Sequence, residues 1–273
     1  SATQQVKSAS TFETQGSFQT EPSSDYATKN LPDPLSSVTT APSPFSLWNL
    51  ATNEKLFILT GHTDSVRSLA FSSDAKTLAS GGADKTIKLW DINTREEIQT
   101  ISGHKLAVSA VTFSTTGKIL ASGSADKTIK LWNLHTKEEI RTLIGHTMGV
   151  TALAFNPNGK ILASGGADKS IKLWDVATGK EICTFSGHKM VVNALSFSPD
   201  GQVLLSGSAD KTVKVWKLNT EEEILTLPIF RSAVNFLMFE QNGQTLAIAC
   251  DDKTIKLWNF QQMREIRSIL ESN

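Results

Sequence analysis

Cysteine, tyrosine and net charge are what this chain has least of. It holds two cysteines, Cys183 and Cys250, one tyrosine, and equal numbers of basic and acidic side chains across 273 residues. The two cysteines sit at different offsets in their surroundings and form no metal-ligand spacing, which leaves them as buried, reduced thiols suited to a reducing cytoplasm. Zero net charge gives no reason to expect nucleic acid or an anionic membrane as a partner. No apolar run approaches the length of a membrane span. The amino-terminal stretch lacks the charged-then-apolar order of a signal peptide, and no arginine precedes Arg67. Helical periodicity is also missing until the last dozen residues. There is no nucleotide-binding loop and no kinase signature.

What is there instead is repetition. The stretch from Gly145 to Asp175 returns as a near-replica every 42 residues, and the register does not drift. Gly-His recurs at 61–62, 103–104, 145–146 and 187–188. All six tryptophans, Trp48, Trp90, Trp132, Trp174, Trp216 and Trp258, keep the same beat. Asp84, Asp126, Asp168, Asp210 and Asp252 each stand six residues ahead of their tryptophan. In the first full copy Ser65–Ser72, Thr77–Gly81, Thr86–Asp91 and Glu97–Ser102 are short β-branched runs bounded by turn residues. Each copy is therefore predicted to be a four-stranded antiparallel meander. A meander that is apolar on both faces needs a neighbour on each side, and radial stacking provides one. The expected fold is an all-β propeller.

Gly-His, Leu-Ala-Ser-Gly, Ala-Asp-Lys and Leu-Trp-Asp or Leu-Trp-Asn at fixed offsets resemble the tryptophan-aspartate (WD40) repeat family over roughly residues 45–270. The resemblance implies a buried hydrogen-bonded tetrad in each copy. Carried over, these are His62, Ser80, Asp84 and Trp90; His104, Ser122, Asp126 and Trp132; His146, Ser164, Asp168 and Trp174; and His188, Ser206, Asp210 and Trp216. Chemistry favours the same grouping, because a buried indole N–H needs an acceptor and a chain through hydroxyl and imidazole to carboxylate satisfies every member. Ser, His and Asp are also the ingredients of a nucleophilic triad. A working site, however, is one asymmetric constellation, whereas these sets recur in every copy. No catalytic residue, cofactor or metal site is assigned; the four Gly-His histidines belong to different blades and cannot converge on a metal. His135 is expected to be a solvated loop residue. The fifth copy departs, with Ile229-Phe230 in place of Gly-His and Ile248 in place of the serine, and must rely on apolar packing.

If the tetrads are structural, recognition belongs where the copies disagree. The family geometry puts the Gly-His loops and Ala-Asp-Lys turns on one rim, and on it two offsets vary. The first gives Leu106, Met148 and Met190, beside Asp64 and Ser232; the second gives Arg67, Ser109, Thr151, Asn193 and Asn235, and Arg231 lies nearby. Exposed apolar residues at a ring mouth suggest a protein or peptide docking patch, unless they tuck under neighbouring loops. Lys85, Lys127, Lys169, Lys211 and Lys253 share that rim. Glu96, Glu97, Glu138, Glu139, Glu181 and Glu221–Glu223 are expected at the other, a polarity that would steer an acidic peptide.

Three functions stand in order: a non-enzymatic scaffold binding on the rim, a regulatory propeller of a larger prokaryotic signalling protein with a kinase or ATPase module, and an enzyme using the central channel. For the last, only Asp64, Arg67, Arg231 and Asp251 are available.

Residues 1–44 differ in kind, with sixteen Ser or Thr and five of the eight prolines. They read as a linker, or as degenerate strands of the blade that contains Trp48. Sliding the repeat back sets Leu35–Thr40 under Thr77–Gly82, and Ser23–Thr28 under the strand containing Val66 and Leu69. The propeller proper is set at 45–273. Six blades are countable. Seven would need an incomplete blade, with strands at Thr3–Lys7 and Phe12–Gln19.

Overall fold

The structure is a computed structural model that describes residues 45–49, 54–227, 230–240, 243–262 and 264–270. The degenerate strands expected in residues 1–44 lie outside these. A first ribbon pairs β1 (Phe45–Asn49) with β2 (Glu54–Leu59). Blade one follows as β3 (Val66–Phe71), β4 (Thr77–Gly82), β5 (Thr86–Asp91) and β6 (Glu97–Ser102). Blade two is β7 (Val108–Phe113), β8 (Ile119–Ser124), β9 (Thr128–Asn133) and β10 (Glu138–Ile144). Blade three is β11 (Val150–Phe155), β12 (Ile161–Gly166), β13 (Ile171–Asp175) and β14 (Glu181–Phe185). Blade four is β15 (Val192–Phe197), β16 (Val203–Ser208), β17 (Val213–Lys217) and β18 (Glu222–Leu227). Blade five is β19 (Val234–Phe239), β20 (Thr245–Cys250), β21 (Thr254–Asn259) and β22 (Arg264–Leu270).

Each blade is an antiparallel meander with its strands in chain order. The described residues therefore hold five complete blades, and the ribbon β1–β2 stands at the third- and fourth-strand positions of a sixth. The first strands β3, β7, β11, β15 and β19 neighbour one another in turn. They line a common cavity of about 350 Å³ on the axis.

Blades join by two apolar faces. One presents Ala79, Ile87, Leu89 and Ile101 in blade one; the other presents Val111, Leu120 and Trp132 in blade two, and together they form one core. The same pairing recurs at the next three junctions. The ribbon β1–β2 seats Phe45, Leu47, Phe57 and Leu59 against Leu78 and Trp90 of blade one in the same way. Ile129, Leu131, Ile171, Leu173, Val213 and Val215 are all at most 2% exposed. Burial of such side chains contributes about 1.5–3 kcal/mol each. These junctions, not the short ladders, carry the fold.

Two irregularities repeat. On the first strand of every blade, pairing with the second skips one residue: Arg67, Ser109, Thr151, Asn193 and Asn235. On the fourth strand it skips Ile98, Ile140, Ile182, Ile224 and Ile266. Each is a β-bulge that leaves one side chain outside the ladder and re-aims it.

Candidate functional site: the loop-and-turn rim

Four tetrads form as the sequence predicts. In blade one the Trp90 indole donates to Ser80 Oγ at 2.8 Å, Ser80 Oγ lies 2.7 Å from His62 Nε2, and His62 Nδ1 lies 2.8 Å from Asp84. Carboxylates only accept, so His62 Nδ1 carries the proton. Nε2 is then free to accept from the serine hydroxyl. Blades two, three and four repeat the chain through Ser122, Ser164 and Ser206, with the indole bond at 2.8 Å each time. His104, His146 and His188 sit within 2.8 Å of those hydroxyls and about 2.9 Å from Asp126, Asp168 and Asp210. All four serines are fully buried.

Each aspartate also accepts from the backbone N–H after its histidine, at 2.8–2.9 Å. This bond ties the Gly-His loop to the Ala-Asp-Lys turn, so loop and turn share one rim. The Thr77-side hairpin turn, at the other end of β4, faces the opposite one. Burial raises the carboxyl pKa of Asp126, Asp168 and Asp210. The hydrogen bonds from hydroxyl, amide and imidazole outweigh it and hold each at about 2. Burial lowers His104 and His188 below the usual histidine value. His104 and His188 are thus held as neutral imidazoles on ionised carboxylates, and in all four tetrads the buried serine hydroxyl is locked between two partners. That is a structural bond, not an activated nucleophile.

The fifth blade lacks the chain. Phe230 and Ile248 are buried where histidine and serine stand elsewhere, Phe230 packs against the Trp258 ring at 6.2 Å, and Trp258 Nε1 has no partner among the described residues. The Asp252 carboxylate accepts from the Thr254 hydroxyl, and the Asp252 backbone N–H donates to Ser232 Oγ at 2.9 Å.

A second repeated network was not anticipated. Lys88, Lys130, Lys172 and Lys214 lie along each sheet and pair with Glu97, Glu139, Glu181 and Glu223 at 2.7–2.9 Å. Thr100, Thr142, Thr184 and Thr226 complete it. The expected acidic rim is corrected accordingly: these four glutamates are neutralised within their own blades. Lys88–Glu97 pairing at constant offset was visible in the repeat, but charges nine residues apart in sequence signal contact only once β5 and β6 are in register.

On the rim, Leu106, Met148 and Met190 are 48%, 52% and 50% exposed, so they do not tuck under neighbouring loops. Ile144, 76% exposed at the end of β10, joins them; sequence reasoning missed it, although the copies differ there too, with Ser102 and Ser186 at its position. Lys85, Lys105, Lys127, Lys169, Lys189, Lys211 and Lys253 are all exposed on that rim. The five turn lysines, from Lys85 to Lys253, adopt left-handed backbone.

The bulge positions divide. Thr151 donates to the Val192 carbonyl of the next blade at 2.5 Å, and Asn193 donates to the Val234 carbonyl at 3.2 Å, so both stitch blades together. Asn235 is exposed and donates to Asp251; Arg67 and Arg231 are exposed, and Ser109 is half-buried.

Cys183 is half-buried and Cys250 buried, both unpaired, and burial pushes both thiols up to about 11. Among the described residues the axial cavity is lined by Leu69, Phe113, Phe155, Phe197, Phe236 and other apolar or hydroxyl side chains. Among the described residues no group of three or more His, Cys, Asp or Glu is placed to hold a metal.

Comparison with known proteins agrees with this architecture. A family model described as the IFT122 first beta-propeller matches residues 128–273, just over half of the chain. A model described as WD domain, G-beta repeat, matches residues 53–91 and 95–133. No curated protein matches. With its repeats, tetrads and blades in place, the chain belongs to the WD40-repeat β-propeller family.

Proposed function

We propose that this propeller is a non-enzymatic scaffold that binds a protein or peptide on the rim built from its Gly-His loops and Ala-Asp-Lys turns. One observation carries the reading: Leu106, Ile144, Met148 and Met190, each about half exposed or more, project from three consecutive blades at positions where the copies differ. Apolar side chains left in water on a rigid rim gain free energy when a partner buries them, and methionine adapts to varied surfaces. Exposed Lys105, Lys127, Lys169, Lys189 and Lys211 surround them. The neighbouring carboxylates of Asp126, Asp168 and Asp210 point inward to histidines and amides. An acidic segment with bulky apolar residues suits this surface best, the lysines favouring encounter and the apolar residues holding it.

Affinity purification with Met148→Glu plus Met190→Glu tests the reading. Loss of the partner with thermal unfolding nearly unchanged supports it; undiminished capture removes this rim as the site.

A further inference from the structure

On the side away from the Gly-His loops, the seams between neighbouring blades are closed by different side chains, and one seam is left open. The fourth-strand residue that follows the bulge decides which: Gln99, Arg141, Cys183 and Leu225 hold this position in blades one to four. Arg141 lies across Gly179 of blade three and donates to the Ala177 and Thr178 carbonyls. Cys183 and Leu225 pack against the cores that their blades share with the next. Gln99 does neither. Its carboxamide makes no hydrogen bond among the described residues, and it lines a cavity of about 420 Å³ between blades one and two.

The groups around this cavity select a kind of ligand. Leu89, Phe113 and Leu134 give it an apolar floor, and Ile98, 47% exposed, adds apolar surface at its edge. Lys137 also lines it, standing where blade three has Gly179 and in the same left-handed backbone, φ 65° against 73°. Its ammonium is in no ion pair among the described residues. Asp74, the only carboxylate among the lining residues, has Oδ1 committed to the Ser72 hydroxyl at 2.6 Å and to the Lys76 amide at 3.1 Å, inside its own turn. What remains is one unpaired cation and one amide able to donate, above an apolar floor. Such a pocket suits a small anion with an apolar body.

We infer that the seam between blades one and two is a binding site for a small apolar carboxylic acid, with its hydrocarbon part against Leu89, Phe113, Leu134 and Ile98 and its carboxylate on Lys137 Nζ, Gln99 Nε2 serving as a second donor. Burial of the hydrocarbon supplies affinity, and the cation selects the charged form. The hairpin turns of the two blades meet beside the cavity, where a Cβ added to Gly117 would stand 3.5 Å from Ser73 Oγ. The site is therefore bounded on that side, a pocket for a free acid rather than an open groove for an extended chain. It is independent of the rim that binds a partner, since none of these residues lies there.

Isothermal titration calorimetry of octanoate and of 4-phenylbutyrate into the full chain tests this, with variants borrowed from the molecule's own copies so that the backbone is kept. One saturable site is expected for at least one of the two acids. Octanamide, which keeps the hydrocarbon and loses the charge, should bind at least tenfold more weakly than octanoate, and Lys137→Gly should weaken both acids at least tenfold. Gln99→Arg with Lys137→Gly transplants the pairing of Arg141 and Gly179 into this seam; it should abolish binding, and a thermal midpoint no lower than that of the unaltered chain would show that the seam has closed. No saturable binding of either acid at millimolar concentration, equal affinity for octanamide, or binding that survives the variants would overturn the inference. N-acetylphenylalanine binding tenfold more tightly than both acids would assign the pocket to a peptide carboxyl terminus, and that too would overturn it.

Discussion

A buried serine hydroxyl in each tetrad accepts from an indole and donates to an imidazole at once, so no other side chain of its size replaces it. Ser164→Ala should strand the Trp174 N–H and leave His146 Nε2 without a donor, at a cost of about 2–4 kcal/mol by urea unfolding. Blade five offers the converse. Phe230→His with Ile248→Ser should give the unpartnered Trp258 N–H an acceptor and link it toward Asp252. The gain expected is about 1 kcal/mol, with Ile248→Ser alone destabilising because it leaves the hydroxyl half-satisfied. Protonation tests the same bonds. His104 and His188 have folded pKa values below the ordinary 6.5, so the unfolded chain takes up protons first and stability falls as pH drops below about 6.5. Asp126, Asp168 and Asp210, held at about 2 against an ordinary 3.8, keep their stabilisation above pH 3.8 and lose it toward pH 2. The urea midpoint should therefore decline continuously from pH 7 to pH 3, and a midpoint flat over that range would contradict the assigned protonation states.

At the scale of turns and strands, backbone conformation sets what the copies tolerate. Ala75 has a φ of 56° at a turn where Gly117, Gly159, Gly201 and Gly243 stand in the other blades. Ala75→Gly relieves that strain and should be neutral or stabilising by up to about 1 kcal/mol in thermal melts. Gly179, at φ 73°, also lets the Arg141 side chain cross it; an added Cβ would fall 2.1 Å from Arg141 Cδ. Gly179→Ala should break the hydrogen bonds from Arg141 to the Ala177 and Thr178 carbonyls and cost more than a turn substitution alone. Strand limits, tetrads and the defect in the fifth copy were legible in the sequence because each depends on a fixed offset within one period. The bulges were not. Thr151 and Asn193 looked like variable rim residues, and only the skipped pairing of β11 and β15 turns them onto the next blade's carbonyls. Ile144 escaped because it precedes the Gly-His pair, where attention to the loop alone does not reach.

Across the whole molecule, stability should be graded along the chain. Blades two to four have tetrads, covered faces on both sides and interblade hydrogen bonds, while blade five has no tetrad and a half-buried trailing face. In repeat arrays local stability follows from each unit and its immediate neighbours. Amide exchange should therefore be fastest in β21 and β22 and slowest in β8, β12 and β16, read by mass spectrometry on the native protein. Uniform protection would mean that the array unfolds as a single unit. The four junctions between complete blades, at each of which Gly81, Gly123, Gly165 or Gly207 lies against Val108, Val150, Val192 or Val234 of the next blade, have one further result. Because every one of them joins the same two surfaces, excising a single unit between blades two and four, or inserting another, brings together ends that already fit. Recombination between such similar stretches of coding sequence can change the number of blades without inventing an interface, and ring curvature alone then decides which lengths survive.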